Sequence, residues 1–173
     1  MRNRTPGTWT RSVTFMAATP VLGLLLSCAT GSPSPGGSSL HAPRALSVEP
    51  LMCSSCTGDI ARTERAREVI EDAAAFRKAF LDSAHEGMAV PEVDFSRFVV
   101  VAVWMGQQSD CGSGISISSV KETGSRVEVE VTSSLTGNCP AGDAISYPFC
   151  FVKVERVAKP HVFLEKTETR VCE

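Results

Sequence analysis

The sequence predicts an α+β domain: a mainly antiparallel curled sheet or partly open barrel, with one packed helix. Three observations carry this. Phe98 to Met105 (FVVVAVWM) is almost unbroken apolar and β-branched sequence, the composition of a strand buried on both faces. Ile115-Ser116-Ile117-Ser118 and Val127 to Thr132 alternate apolar with polar residues, the period of strands with one solvated face. Thr57 to His85 is rich in Ala, Glu, Arg and Lys and supplies the helix.

Ahead of these elements lies a leader. Arg2, Arg4 and Arg11 form a basic start without an acid, and a moderately apolar run from Val13 to Leu26 follows, broken at Thr19-Pro20. A permanent membrane helix needs roughly 20 apolar residues, so this run reads as a secretory signal, residues 1–27. Leu25-Leu26-Ser27-Cys28 resembles the lipobox of bacterial lipoproteins. The resemblance implies a diacylglycerol on the Cys28 thiol, cleavage before Cys28 and acylation of the new amino group. Two or more acyl chains satisfy the requirement for stable anchoring. With Ala29 next, the resemblance implies the outer membrane of the cell envelope. An ordinary signal peptide with Cys28 as a bystander is the simpler alternative.

Residues 28–48 are dominated by Ser, Gly and Pro, the composition of a lipid-anchored flexible tether, and His41 reads as a solvated residue within it. Residues 49–173 are left for a single domain. Loss of residues 1–27 removes three arginines and no acid, leaving 14 Lys+Arg against 19 Asp+Glu, a formal net charge of −5. Mild acidity without a basic stripe argues against nucleic acid as a partner.

Within the domain, one reading makes Ile60 onward a single long helix. The other breaks it at Asp72, so that Arg67-Glu68-Val69-Ile70-Glu71 forms a strand and Asp72 caps a helix bearing Phe76 and Phe80 at i, i+4 spacing. Gly87 and Pro91 stop that helix, with His85 near its end. Gly106 to Gly114 is a polar connection, and Lys121 to Ser125 a hairpin turn. Further strands follow at Phe149 to Val157 and from Val162 to Leu164, with extension toward Val171 left open.

Six cysteines follow the anchor: Cys53, Cys56, Cys111, Cys139, Cys150 and Cys172. An even number in an exported chain points to disulfides. Cys139 and Cys150 flank a short Gly142-Asp143 segment and suit a local bridge. Cys172, at the terminus, suits a bridge to Cys53 or Cys56 that prevents fraying. Cys53-Ser54-Ser55-Cys56 also has the spacing of a thiol–disulfide exchange motif, but no apolar strand or βαβ unit surrounds it. A zinc site would compete with bridges in an oxidising compartment.

No constellation for catalysis stands out, so an enzyme is not expected and neither cofactor nor metal is implied. His161 reads as a loop or edge residue. Asp94, between Val93 and Phe95, suits a local turn with Ser96 better than acid–base work. Gly112-Ser113-Gly114 lacks the surroundings of a nucleophile elbow and reads as a tight turn. Gly112, Ser113, Gly114, Asn138 and Tyr147 are the candidate interaction residues.

Arg67 to Ile70, the Phe76/Phe80 helix, Val93-Asp94-Phe95-Ser96-Arg97 and Val99 to Gly106 together resemble the C-terminal domain of the PrcB subunit of a bacterial surface protease complex. That domain also occurs in small exported proteins and lipoproteins. The likeness continues through Cys111-Gly112-Ser113-Gly114-Ile115-Ser116-Ile117 and ends at Tyr147 to Val154. Cys111 and Ile115 replace the Thr and aromatic residue usual at the glycine turn, and Cys150 stands where His is common. The resemblance favours the break at Asp72. It implies a non-catalytic, protease-associated accessory domain with an envelope or secreted protein partner, a protease among the candidates. An inhibitor presenting the disulfide-held loop 136–148 is the alternative, and thiol–disulfide exchange through Cys53 and Cys56 a third.

Overall fold

The computed structural model describes residues 42–58, 60–84 and 87–172. Cys28, the leader and His85 lie outside the described residues. The elements in chain order are β1 (Arg44–Ala45), β2 (Val48–Ser54), β3 (Ala66–Ile70), α1 (Ala73–Leu81), β4 (Phe98–Trp104), β5 (Gly114–Glu122), β6 (Val127–Leu135), β7 (Phe149–Glu155) and β8 (His161–Thr169).

The α+β class with a single packed helix holds, but the strands do not curl into one sheet or close into a barrel. They divide into two four-stranded sheets, in the orders β1-β5-β6-β8 and β2-β7-β4-β3. Pairing is antiparallel except between β6 and β8, which run parallel. The second sheet is the middle layer of three, with the first sheet on one side and α1 on the other. Strand periodicity explains the sorting. Val99, Val101 and Val103 of β4, with Cys150, Val152 and Val154 of β7, pack against Ile115, Ile117, Val120, Val127, Val129 and Val131 of the first sheet. The intervening Val100, Ala102 and Trp104, with Phe149 and Phe151, pack against Phe76, Ala79 and Phe80 of α1. A strand apolar on both faces is therefore covered by a sheet and a helix, which removes the need for a curled sheet.

The break at Asp72 is realised. Its carboxylate accepts from Ala75 N at 2.8 Å, its extended backbone starts α1, and the preceding residues pair with β4 as β3. The helix ends at Leu81, earlier than Gly87 would require. Ser83 turns back there: its hydroxyl donates to Ala79 O and accepts from Trp104 Nε1, each at 2.8 Å. This satisfies the one polar atom of a fully buried indole, a condition that burial of a Trp imposes. Arg62 lies over the same ring, 3.8 Å from its centroid. The expected hairpin turn is present, closed by Thr123 N to Arg126 O at 2.8 Å.

Composition placed residues 44–48 in the tether, yet they belong to the sheets. Arg44–Ala45 pairs with β5, Leu46 is buried between the layers, and β2 begins at Val48. Pro50 is tolerated because β2 is an edge strand whose register shifts between Pro50 and Met52. One side of the sandwich is thus joined by the chain crossing from β1 to β2. The other side is joined by side chains: Arg67 of β3 meets Glu165 of β8 through Nε at 2.6 Å and Nη2 at 3.0 Å, and Arg65 adds 3.2 Å. Glu165 is in register with buried Val131, so it points inward from an edge strand. Inward charges of this kind discourage strand addition.

Phe151 abuts the rings of Phe76, Phe80, Trp104 and Phe149. Phe151→Ala is expected to lower unfolding free energy by about 3–5 kcal/mol in urea titration. Glu165→Val is expected to cause concentration-dependent self-association, read by sedimentation, because among the described residues nothing pairs with the outer edge of β8.

Candidate functional site

The C-terminal ends of β2, β4, β6 and β8 and the N-terminal ends of β3, β5 and β7 all meet at one end of the sandwich, as the registers require. The connections 55–65, 105–113 and 136–148 therefore converge there. All three disulfides lie at this end: Cys53–Cys150, Cys56–Cys111 and Cys139–Cys172. The local Cys139–Cys150 bridge and the pairing of Cys172 with Cys53 or Cys56 are both overturned. Cys150 sits on β7 directly opposite Cys53. Cys139 follows β6 and Cys172 follows β8, and because those strands are parallel their ends arrive side by side. Cys53 and Cys56 bond outward to separate partners, not to each other as the exchange motif would.

An acidic residue that sequence reasoning passed over organises the connections. Asp110 Oδ1 accepts from the amides of Gly112 at 2.8 Å and Ser113 at 2.7 Å, and from the Thr136 hydroxyl. Its Oδ2 accepts from Ser113 Oγ at 3.2 Å, and its carbonyl from Ser146 Oγ at 2.5 Å. Asp110 thereby joins the β4–β5 connection to the β6–β7 connection. The hydrogen bond from Thr136, aided by the two amides, holds its carboxyl below the usual carboxylate range against the opposing pull of desolvation. The signal was available: an Asp two residues before a Gly is the pattern of an Asx turn.

This arrangement assigns most of the candidate interaction residues to structure. A Cβ on Gly112 would lie 2.7 Å from Thr136 Oγ1 and 2.9 Å from Ala141 Cβ, so packing demands glycine there. Ser113 is buried on Asp110, and Gly114 opens β5. Asn138 grips the backbone of Cys172 twice, donating to its carbonyl and accepting from its amide, each at 2.8 Å. Tyr147 is half-buried, and its backbone is held by Thr57 through amide and hydroxyl bonds of 3.1 and 2.9 Å. Gly137, at φ +62°, lets the Arg170 carbonyl pass close over it, and Arg170 N donates to Leu135 O at 2.9 Å.

What remains outward-facing is Gly137-Asn138 and Pro140 to Ile145, bordered by Val171. Ile145 is 57% and Val171 80% exposed, unusual for large apolar side chains. The segment is braced by Cys111 N to Gly142 O at 3.2 Å and by the reciprocal Gln108–Ser146 backbone pair at 2.8 and 3.0 Å. Two braced connections, one bridged terminus and two exposed apolar side chains make this end a preorganised surface.

The other titratable residues do not join this end. Asp94 makes the expected local turn, accepting from Ser96 N at 3.0 Å and Ser96 Oγ at 2.6 Å. His161 opens β8 at the far end. Its Nε2 is buried without a partner, and desolvation holds the imidazole below its ordinary pKa. Among the described residues, no three His, Cys, Asp or Glu side chains are grouped to hold a metal ion, and no helix is long and apolar enough to cross a membrane. No protein-family model, curated protein or solved structure matches the chain.

Asp110 titrates lower folded than unfolded, so its stabilisation is complete above an unfolded value near 4 and is lost as pH falls through the folded one. Asp110→Asn is therefore expected to cost stability at pH 7 and to flatten the decline below about pH 4, measured by urea unfolding across pH.

Proposed function

We propose that this chain is a non-catalytic, lipid-anchored protein of the bacterial cell envelope, in the outer membrane, whose disulfide-bonded end engages a protein partner. The PrcB-like motifs make a secreted or surface protease the favoured partner class. One observation carries the reading. The described chain joins the sheets at Arg44, beside Glu122 and Glu155, at the end opposite the disulfides. A tether from Cys28 would therefore join the folded unit about 20 Å from the exposed Ile145, the span of a strand such as β2.

Two further features support it. All six cysteines after Cys28 are bridged, which suits an oxidising compartment. The lipobox-like Leu25-Leu26-Ser27-Cys28 precedes a Ser/Gly/Pro-rich stretch. The inhibitor alternative draws on Asn138 and Cys139, which pin the start of loop 136–148 while Ile145 stays exposed.

A photo-crosslinker at Ala144 in cells is expected to capture a discrete protein, and one at Gly124, on the opposite end, to capture none. Equal capture at both positions, or none at Ala144 across several expression levels, would overturn the partner assignment. Stoichiometric inhibition of a captured protease would select the inhibitor reading. Cys28→Ala is expected to abolish acyl labelling and release the chain from membranes; retention with an unmodified Cys28 in the wild type would sink the anchoring.

A further inference from the structure

The Cys53-Ser54-Ser55-Cys56 motif has no role in the surface just described, yet its two sulfurs belong to different disulfides that begin three residues apart. Both motif cysteines are exposed, whereas Cys111 is half-buried and Cys150 only 2% exposed. Each bridge therefore joins an exposed motif residue to a more buried partner, and access governs which sulfur a thiolate attacks.

We propose that Cys53, Cys56, Cys111 and Cys150 form a two-electron thiol relay that accepts electrons from an exported dithiol by closing the Cys53–Cys56 pair. The donor thiolate attacks Cys56 Sγ; the Cys56–Cys111 bond breaks and Cys111 leaves as a thiolate that takes up a proton. The donor's second thiol resolves the mixed disulfide, so the donor departs as a disulfide and Cys56 becomes a thiolate. Cys56 Sγ then attacks Cys53 Sγ, and Cys150 leaves and is protonated. The donor has lost two electrons and two protons. The chain has exchanged two disulfides for one, Cys53–Cys56, and two thiols.

The surroundings suit each step. Thr57 is fully buried and bonded twice to Tyr147, so Cys56 stays docked after its bridge opens. The bend at Ser55 follows directly on edge strand β2, where Cys53 is an exposed residue, and only two residues separate Cys53 from Cys56, a loop short enough to close. Cys150 is left among Val103 and Val152, and a buried thiol behaves there as a small apolar side chain. Cys111 is freed on the very connection that Asp110 ties to the apolar tip, so the relay's redox state acts on the presented surface.

The test is peptide mapping of the oxidised full chain after graded dithiothreitol exposure, acid quenching and alkylation. Among these four cysteines, the first labels are expected on Cys111 and Cys150, with Cys53 linked to Cys56. First labels on any other pair would overturn the relay. Cys111→Ala, made without reductant, is expected to carry a Cys53–Cys56 bridge and a free Cys150; an intact Cys53–Cys150 bridge with free Cys56 would also overturn it. Should that variant fail to fold, the wild-type map decides alone. In the Cys56→Ser, Cys111→Ala double variant, labelling of Cys150 is expected to be lost over the dithiol range that labels it in the wild type.

Discussion

The middle sheet must be apolar on both faces, and the remaining architecture follows from that demand. Val99 to Trp104 and Phe149 to Val152 leave no side of β4 or β7 that water can occupy. One face therefore requires a second sheet and the other a helix. Each covering layer then spends only one apolar face, so the first sheet reads as alternating sequence and α1 as a single Phe76/Ala79/Phe80 stripe. Among the described residues the buried side-chain polar atoms, His161 Nε2 apart, are matched. The Trp104 indole finds Ser83, and Arg67 reaches the Ala66 and Trp104 carbonyls while pairing with Glu165.

The two ends of the sandwich are built on different principles. At the Arg44 end, short turns are held by local carboxylate and arginine contacts, such as Asp94 with Ser96 and Arg156 with Glu71 and Phe95. At the other end, longer connections carry little apolar burial of their own. Covalent bridges and the Asp110 knot supply the order that packing does not. Preorganisation of that sort lowers the entropic cost of any binding event, and Ile145 and Val171 stay exposed on this ordered end.

Much of the strand and helix content was legible because it is encoded within short windows. The run at Phe98, the alternation at Val127 and the Asp72 cap each specify their element locally. Tertiary facts were not legible on those terms. Sequence proximity favoured Cys139 with Cys150, whereas parallel pairing of β6 with β8 delivers Cys172. Pro50 and the polar residues around Leu46 concealed an edge strand whose order comes from its neighbours. Gly112, Ser113 and Asn138 drew notice as binding residues because turns on surfaces attract partners. Their side chains, or the lack of one, are instead consumed in building the surface. The residue that organises them, Asp110, carried a recognisable turn pattern but no hint of Thr136, which lies 26 positions away.

The Cys53–Cys150 bridge also sets how the domain bears mechanical load. A pull between the amino-terminal strand and the apolar tip runs through Arg44 to Cys53, across the sulfurs, and back along a few residues before Cys150. The 97-residue separation between those cysteines is short-circuited, sparing an extension of about 320 Å at full stretch. Tension applied between those two points would pass through the bridge without drawing out the core strands β3 to β6.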